Sequence, residues 1–176
     1  MLSDNMELIR LRDEDTPLFK KYLQEAFQQS YESVYGRCKE LVLPENDMDE
    51  CLEREDSHVF EVINQSNEIL GGAVVTIDEK TNHNHLDFLF VKVGIQSQGL
   101  GQLIWAELER MYPDTEIWET CTPYFDKRNI HFYVNKLGFH IVEFFNEKHQ
   151  DLEDPIDNFS LEDGMFRFEK IMKKGN

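Results

Sequence analysis

The stretch Gln96-Ser97-Gln98-Gly99-Leu100-Gly101 constrains this chain more than any other. It stands between an apolar, strand-like run at 85–91 and an amphipathic run ending at Tyr112, on which Leu103, Ile104, Leu108 and Met111 share one helical face. Glycines at such a junction let the backbone approach a ligand closely. The first N–H groups of the helix, with the positive end of its dipole, then form a site for an anion such as a diphosphate. Two familiar phosphate loops fail on spacing. The dinucleotide fingerprint requires a third glycine where Ile104 stands. The P-loop pattern is met by Gly94 and Gly99, but Leu100-Gly101 replaces the Lys and Ser or Thr it needs.

The surrounding elements follow from periodicity and breakers. Residues 7–12 alternate as a first strand, and Thr16-Pro17 offers a cap and an initial proline for a helix with the stripe Leu18, Phe19, Tyr22, Leu23, Ala26 and Phe27. The stretch through Tyr31 and Tyr35 has no assignable element. After the break Pro44-Glu45-Asn46-Asp47, a short acidic helix at 48–54 leads to strands at 58–64, 69–77 and 85–91, an antiparallel meander with polar turns. A helix at 99–112 is stopped by Pro113, and a strand follows at 115–121. Asp126 caps a helix that ends at Gly138, before strands at 139–145 and 165–172. The acidic stretch 147–163, with Pro155, reads as an exposed loop. No repeat or Gly/Pro/Ser-rich linker divides the 176 residues, so one α+β domain spanning 1–176 is expected.

Composition narrows the function. A formal charge of -17 opposes binding to nucleic acid, which needs clustered Lys and Arg. No apolar run approaches the roughly 18 residues of a membrane span. The acidic start Met1-Leu2-Ser3-Asp4-Asn5 lacks the pattern of a secretory leader, and Cys38, Cys51 and Cys121 are too scattered for a disulfide framework or a metal pair. A cytoplasmic protein with reduced thiols is expected. His83 and His85 share a strand face but have no third and fourth ligand at a recognised spacing, so no metal is expected.

The hexapeptide fits Gln/Arg-x-x-Gly-x-Gly/Ala, the coenzyme A diphosphate loop of the GNAT superfamily of N-acetyltransferases, which this chain resembles. Leu89-Phe90-Val91-Lys92-Val93-Gly94-Ile95 before it, and Asn129-Ile130-His131-Phe132-Tyr133 with Lys136-Leu137-Gly138-Phe139 after it, extend the resemblance over roughly 55–145. It implies a mixed, mostly antiparallel central sheet of six to seven strands, flanked by about four helices and splayed between the fourth and fifth strands. It also implies acetyl-CoA as co-substrate, bound by Phe90, Val91, Gln96, Ser97, Gln98, Gly99, Leu100, Gly101, Gln102, Asn129 and Tyr133. In that reading the Val91 N–H meets the thioester oxygen, Asn129 meets the pantetheine arm, and Tyr133 protonates the departing thiolate. The residue-level alternatives are a core valine, a residue satisfying its own helix start, and a tyrosine packed on the sheet.

An attacking amine must lose a proton, and two carboxylates are candidates for its acceptor. Asp87 lies inside an apolar strand, where period-two counting puts it on the face of Leu89 and Val91; Glu119 lies in the next strand, near the expected splay. The acidic and aromatic first third, with Glu25, Glu32, Glu40, Asp49, Glu50, Tyr31 and Tyr35, suits a cationic amine. A polyamine, amino sugar, amino acid or protein amino group all meet that description. Cys121 is conceivable as a nucleophile, but a buried structural thiol is the expected state. The resemblance also brings a homodimer paired along sheet edges. A non-catalytic acyl-CoA sensor is the alternative reading, since it keeps the loop without needing Tyr133 or a base.

Overall fold

Met6–Arg10 (β1), Ser57–Asn64 (β2), Ile69–Thr76 (β3), His83–Val91 (β4), Ile117–Pro123 (β5), His140–Phe145 (β6) and Met165–Ile171 (β7) form one sheet. In the computed structural model, which describes residues 5–96, 98–150 and 164–172, their spatial order is β1-β2-β3-β4-β5-β7-β6. All neighbours are antiparallel except β4 and β5. The exception follows from the connection, because Leu100–Met111 (α3) crosses between β4 and β5, and parallel strands need such a crossover. Short polar turns join the meander strands. The Asn64 side chain accepts from the N–H groups of Ser66 and Glu68, and Asp78 accepts from those of Lys80 and Thr81.

The two faces of the sheet carry separate cores. Thr16–Tyr35 (α1) and Glu45–Glu53 (α2) cover one, where buried Phe19, Leu23 and Met48 meet Val74 and Phe90. Phe19 stands edge-on to Phe90 with ring centroids 5.0 Å apart. Helix α3 and Lys127–His131 (α4), which continues as π-helix over Phe132–Leu137, cover the other. There Trp105 packs on Trp118 and Phe139 at 5.2 and 5.1 Å.

Several boundaries differ from the sequence expectation, each for a local reason. A turn of 3-10 helix at Asp13–Asp15 precedes α1, so Asp15 takes the cap position and Thr16 is the first helical residue. Leu18, expected in the core stripe, is 40% exposed. The unassigned stretch belongs to α1, and it is helical because the Tyr31 and Tyr35 rings find a partner in Phe125, at 5.3 and 5.5 Å. Helix α2 starts at Glu45, three residues early, directly after an extended Pro44. Most of the expected loop 147–163 lies outside the described residues. Among those described, no helix is long and apolar enough to cross a membrane.

Candidate active site

Strands β4 and β5 pair over only three residues each, His83 to His85 with Ile117 to Glu119. Beyond the last pair the Thr120 hydroxyl donates to the Leu86 carbonyl at 2.8 Å, and then the strands part into a wedge. The splay thus falls between the fourth and fifth strands, as the resemblance implies. On the other edge of β4, Lys92 N–H donates to Leu70 O at 2.9 Å, and Val91 is opposite Gly71. Because bonded and non-bonded pairs alternate in an antiparallel ladder, the N–H groups of Val91 and Leu89 turn away from β3, into the wedge. A cavity of about 880 Å³ opens there, lined by Leu89, Phe90 and Val91, the second half of α1, the start of α3, and residues of the β5–α4 turn and α4.

The start of α3 suits a diphosphate. Gly99 has φ 82°, a left-handed conformation that aims the chain into the helix without a side chain in the way. At Gly101 a Cβ would lie 3.0 Å from Phe132 Cζ, so the helix start packs closely on the π-helical segment only because glycine stands there. No side chain among the described residues caps the first N–H groups. Gly99, Leu100, Gly101 and Gln102 line the cavity. Gln98 is exposed and outside the cavity wall; Ser97 lies outside the described residues. Gln96 ties the loop to α1, its Nε2 donating to Gln29 Oε1 at 3.0 Å.

Asp126 organises the opposite wall. Its Oδ1 accepts the Asn129 N–H at 3.0 Å, which caps α4, and its Oδ2 accepts the Ser30 hydroxyl of α1 at 2.8 Å. The backbone of Asn129 is therefore satisfied by Asp126, and Asn129 lines the cavity. Tyr133 does not line it: 5% exposed, its ring sits among Phe132, Phe139 and Phe168, while Phe132 faces the cavity. Burial pushes the Tyr133 phenol up, against a hydrogen bond with Thr120 that pulls it down. Its hydroxyl is thus held one residue past the last β4–β5 pair.

The carboxylates are on the other face of the sheet. The expectation that Asp87 shares a face with Leu89 and Val91 is overturned by a β-bulge. Val74 pairs with Phe88 and Val75 with Leu86, so Asp87 is the extra residue and alternation shifts by one. Asp87 therefore points toward α2, where Arg54 Nη2 donates to Oδ1 at 2.6 Å and the Thr76 hydroxyl to Oδ2 at 2.7 Å. Burial alone would raise its carboxyl, but His85, Arg54 and Thr76 together hold it below the usual range. Glu119 is at the last parallel pair, with Oε2 bound by Arg167 Nη1 at 2.7 Å.

His85 lies between them, which the sequence reading missed. Its Nδ1 is 3.4 Å from Asp87 Oδ1 and its Nε2 is 3.9 Å from Glu119 Oε1. Burial lowers the imidazole, but the two carboxylates outweigh it and raise the pKa above the ordinary value. A histidine flanked this way holds a proton more readily than a free imidazole; it lies at the last β4–β5 pair, 31% exposed at its side chain, and is not among the residues that line the cavity. The bulge and the strand register bring the three together, and neither shows in residue spacing. Among the described residues no group of three or more His, Cys, Asp or Glu is arranged to hold a metal ion.

The comparisons with known proteins bear on this wedge. The model of the acetyltransferase (GNAT) family matches residues 19–139. An uncharacterized protein of Bacillus subtilis (strain 168), YrkN, is 44% identical over 173 residues, covering 93% of this chain and 91% of that one. Among solved structures, a GNAT family acetyltransferase from Elizabethkingia anophelis with acetyl-CoA bound superposes with TM-score 0.69 at 16% identity, over 97% of this chain and 100% of that one. Spermidine N-acetyltransferase from Vibrio cholerae, in complex with CoA and spermine, gives 0.68 at 10% identity over 96% of each chain. The ribosomal-protein-S18-alanine N-acetyltransferase of Escherichia coli gives 0.67 at 13% identity, over 97% and 96%. A splayed β4–β5 pair, an uncapped glycine-rich start to α3 and a family model that spans both lead to one conclusion: this chain belongs to the acetyltransferase (GNAT) family.

Proposed function

We propose that this chain moves an acetyl group from acetyl-CoA directly to a primary amine of a small molecule or of a peptide or protein. The observation that carries the reading is the wedge itself, which has a phenol at its vertex on one face of the sheet and a histidine between two carboxylates on the other. Acetyl-CoA supplies an activated thioester; the residues supply position and proton transfer. The N–H groups at the start of α3 hold the diphosphate. The Leu89 and Val91 N–H groups hold the pantetheine arm and the thioester oxygen, where one such donor is typically worth ~3 kcal/mol as charge develops.

His85 takes the ammonium proton, and Asp87 and Glu119 orient it and raise its basicity. Asp87 itself is a poor base, because Arg54 and Thr76 stabilise its ionised form. As the C–N bond forms and the C–S bond breaks, the proton of Tyr133 passes to sulfur; the second proton of the amine nitrogen leaves to solvent as the amide forms, after which His85 releases its proton to solvent and Tyr133 regains one. Burial makes that phenol reluctant, so Tyr133→Phe slows transfer less than loss of His85. Spermidine and a protein alanine, the acceptors named for two structural neighbours, span both acceptor classes and favour neither. A cytoplasmic location and a homodimer along a sheet edge belong to the same reading.

The absence of Tyr133 from the cavity wall favours a second reading, a non-catalytic acyl-CoA sensor. Calorimetry with acetyl-CoA tests the shared premise, comparing the parent with Gly99→Glu and with Gly99→Asn. Asparagine tolerates the left-handed backbone and adds no charge. Binding that survives Asn but not Glu supports the diphosphate site. A folded parent that binds nothing sinks both readings; binding without transfer to any of a broad amine panel leaves the sensor.

A further inference from the structure

We propose that Thr120 is a positioning residue for Tyr133, its hydroxyl turning from the Leu86 carbonyl to the phenol oxygen as that oxygen gives its proton to sulfur. The inference rests on the reading of Tyr133 as the acid and supplies what that reading lacks, a donor for the phenolate. Thr120 is 1% exposed and is the first residue of β5 past the last pair with β4. Its Oγ1 donates to Leu86 O at 2.8 Å, so a side-chain hydroxyl serves that carbonyl where the strands part. Thr120 also stands opposite Phe168 in the β5–β7 ladder, and directly opposed residues share a face. The Tyr133 ring packs on that same Phe168 with centroids 5.7 Å apart, and on Phe139 at the same distance of 5.7 Å. The ring is thereby fixed with its hydroxyl bonded to the Thr120 side chain.

A hydroxyl has one hydrogen to give and two lone pairs to accept with. While the Thr120 hydrogen is on Leu86 O, Thr120 meets the phenol as an acceptor, and the neutral phenol donates to it. That suits the resting state and not the reaction. Burial disfavours the phenolate, and negative charge on Asp126 or Cys121 opposes it further. Rotation about the Thr120 Cβ–Oγ1 bond moves one hydrogen and no heavy atom, and it gives the phenolate a donor as its charge forms. It is in this second position that the Thr120 bond favours ionisation. In the step itself the C–S bond breaks and its electron pair stays on sulfur. The phenol proton passes to that sulfur, and Thr120 keeps its own proton throughout. When Tyr133 regains a proton from solvent, the Thr120 hydroxyl returns to Leu86 O. The cost is one carbonyl without its donor while the phenolate lasts.

The test needs no acceptor, because the product coenzyme A brings the same sulfur to the same phenol. A phenol whose oxygen accepts from Thr120 donates more strongly to the thiolate, since linked hydrogen bonds polarise one another. The thiol of bound coenzyme A is titrated by thiolate absorbance, as the difference between the complexes with coenzyme A and with desulfo-coenzyme A. In the parent it is expected to titrate about one pH unit or more below its position in Tyr133→Phe, a tenfold change in the acid constant. Thr120→Val and Thr120→Ala, which lack the hydroxyl, are expected to lose at least about half of that displacement, and Thr120→Ser to keep it. Added to Tyr133→Phe, Thr120→Val is expected to move the thiol no further, whereas a merely structural role would act in both backgrounds. Binding of desulfo-coenzyme A reports that each variant is folded. Hydroxyl-free variants that titrate like the parent, or that shift the thiol equally in the Tyr133→Phe background, overturn the role of Thr120 and leave the acid reading standing. A thiol that titrates alike in the parent and Tyr133→Phe overturns both, as does a folded parent that binds no coenzyme A.

Discussion

His85 shows how a residue's chemistry is set by neighbours distant in sequence. Asp87 reaches it along β4, Glu119 across the parallel pair, Arg54 from the end of α2 through Asp87, and Arg167 from β7 through Glu119. The carboxylates raise the imidazole above its ordinary value of 6.5, so it is protonated at lower pH and becomes a competent acceptor as pH rises through that raised value. The expected outcome is a kcat/KM that climbs with pH on a limb above 6.5. In His85→Gln the limb disappears and the rate falls by about a hundredfold or more. Glu119→Gln removes one of the raising charges, so its limb moves to lower pH. A limb unmoved in both variants means the proton goes elsewhere.

At the scale of elements, α1 is the roof of the site, and consecutive residues fasten it to both walls. Gln29 bonds Gln96 of the α3 loop, and Ser30 bonds Asp126 at the start of α4. Asp126 therefore has two duties, capping α4 and anchoring α1. Asp126→Ala is expected to lose about 2 kcal/mol, one part for a cap and one for a buried hydrogen bond, whereas Ser30→Ala loses only the second, about 1 kcal/mol. Thermal melts followed by circular dichroism distinguish the two, since each kcal/mol is roughly 2–4 °C for a chain of this size. Equal shifts would mean that the cap contributes nothing. The α4 boundary was legible because an Asp before a helix with Gly after it is a local signal; the anchor was not, because Ser30 is 96 residues from Asp126.

For the molecule as a whole, one sheet joins two cores. Both tryptophans, Trp105 and Trp118, belong to the core under α3, while Leu23 is fully buried in the core under α1. Leu23→Ala is expected to lose about 2–5 kcal/mol. If the sheet makes the cores cooperative, the tryptophan fluorescence transition moves with the circular dichroism transition, although neither tryptophan belongs to Leu23's core. A fluorescence midpoint that stays in place would show two cores that melt separately.

The sequence by itself determined the elements and the α3 loop. Strand and helix periods, caps and breakers act over a few residues, and Gln96 to Gly101 is a contiguous signal that carries the family resemblance. Only the tertiary structure decided which face each strand residue serves and which residues meet. The bulge at Asp87 turned it from the face of Leu89 to that of Thr76, the register of the parallel pair set Glu119 beside His85, and packing drew Tyr133 into the core and left Phe132 on the cavity wall. The physical reason is range: backbone propensity is local, whereas register, bulges and shared cavities are settled by pairing and burial between segments far apart in the chain.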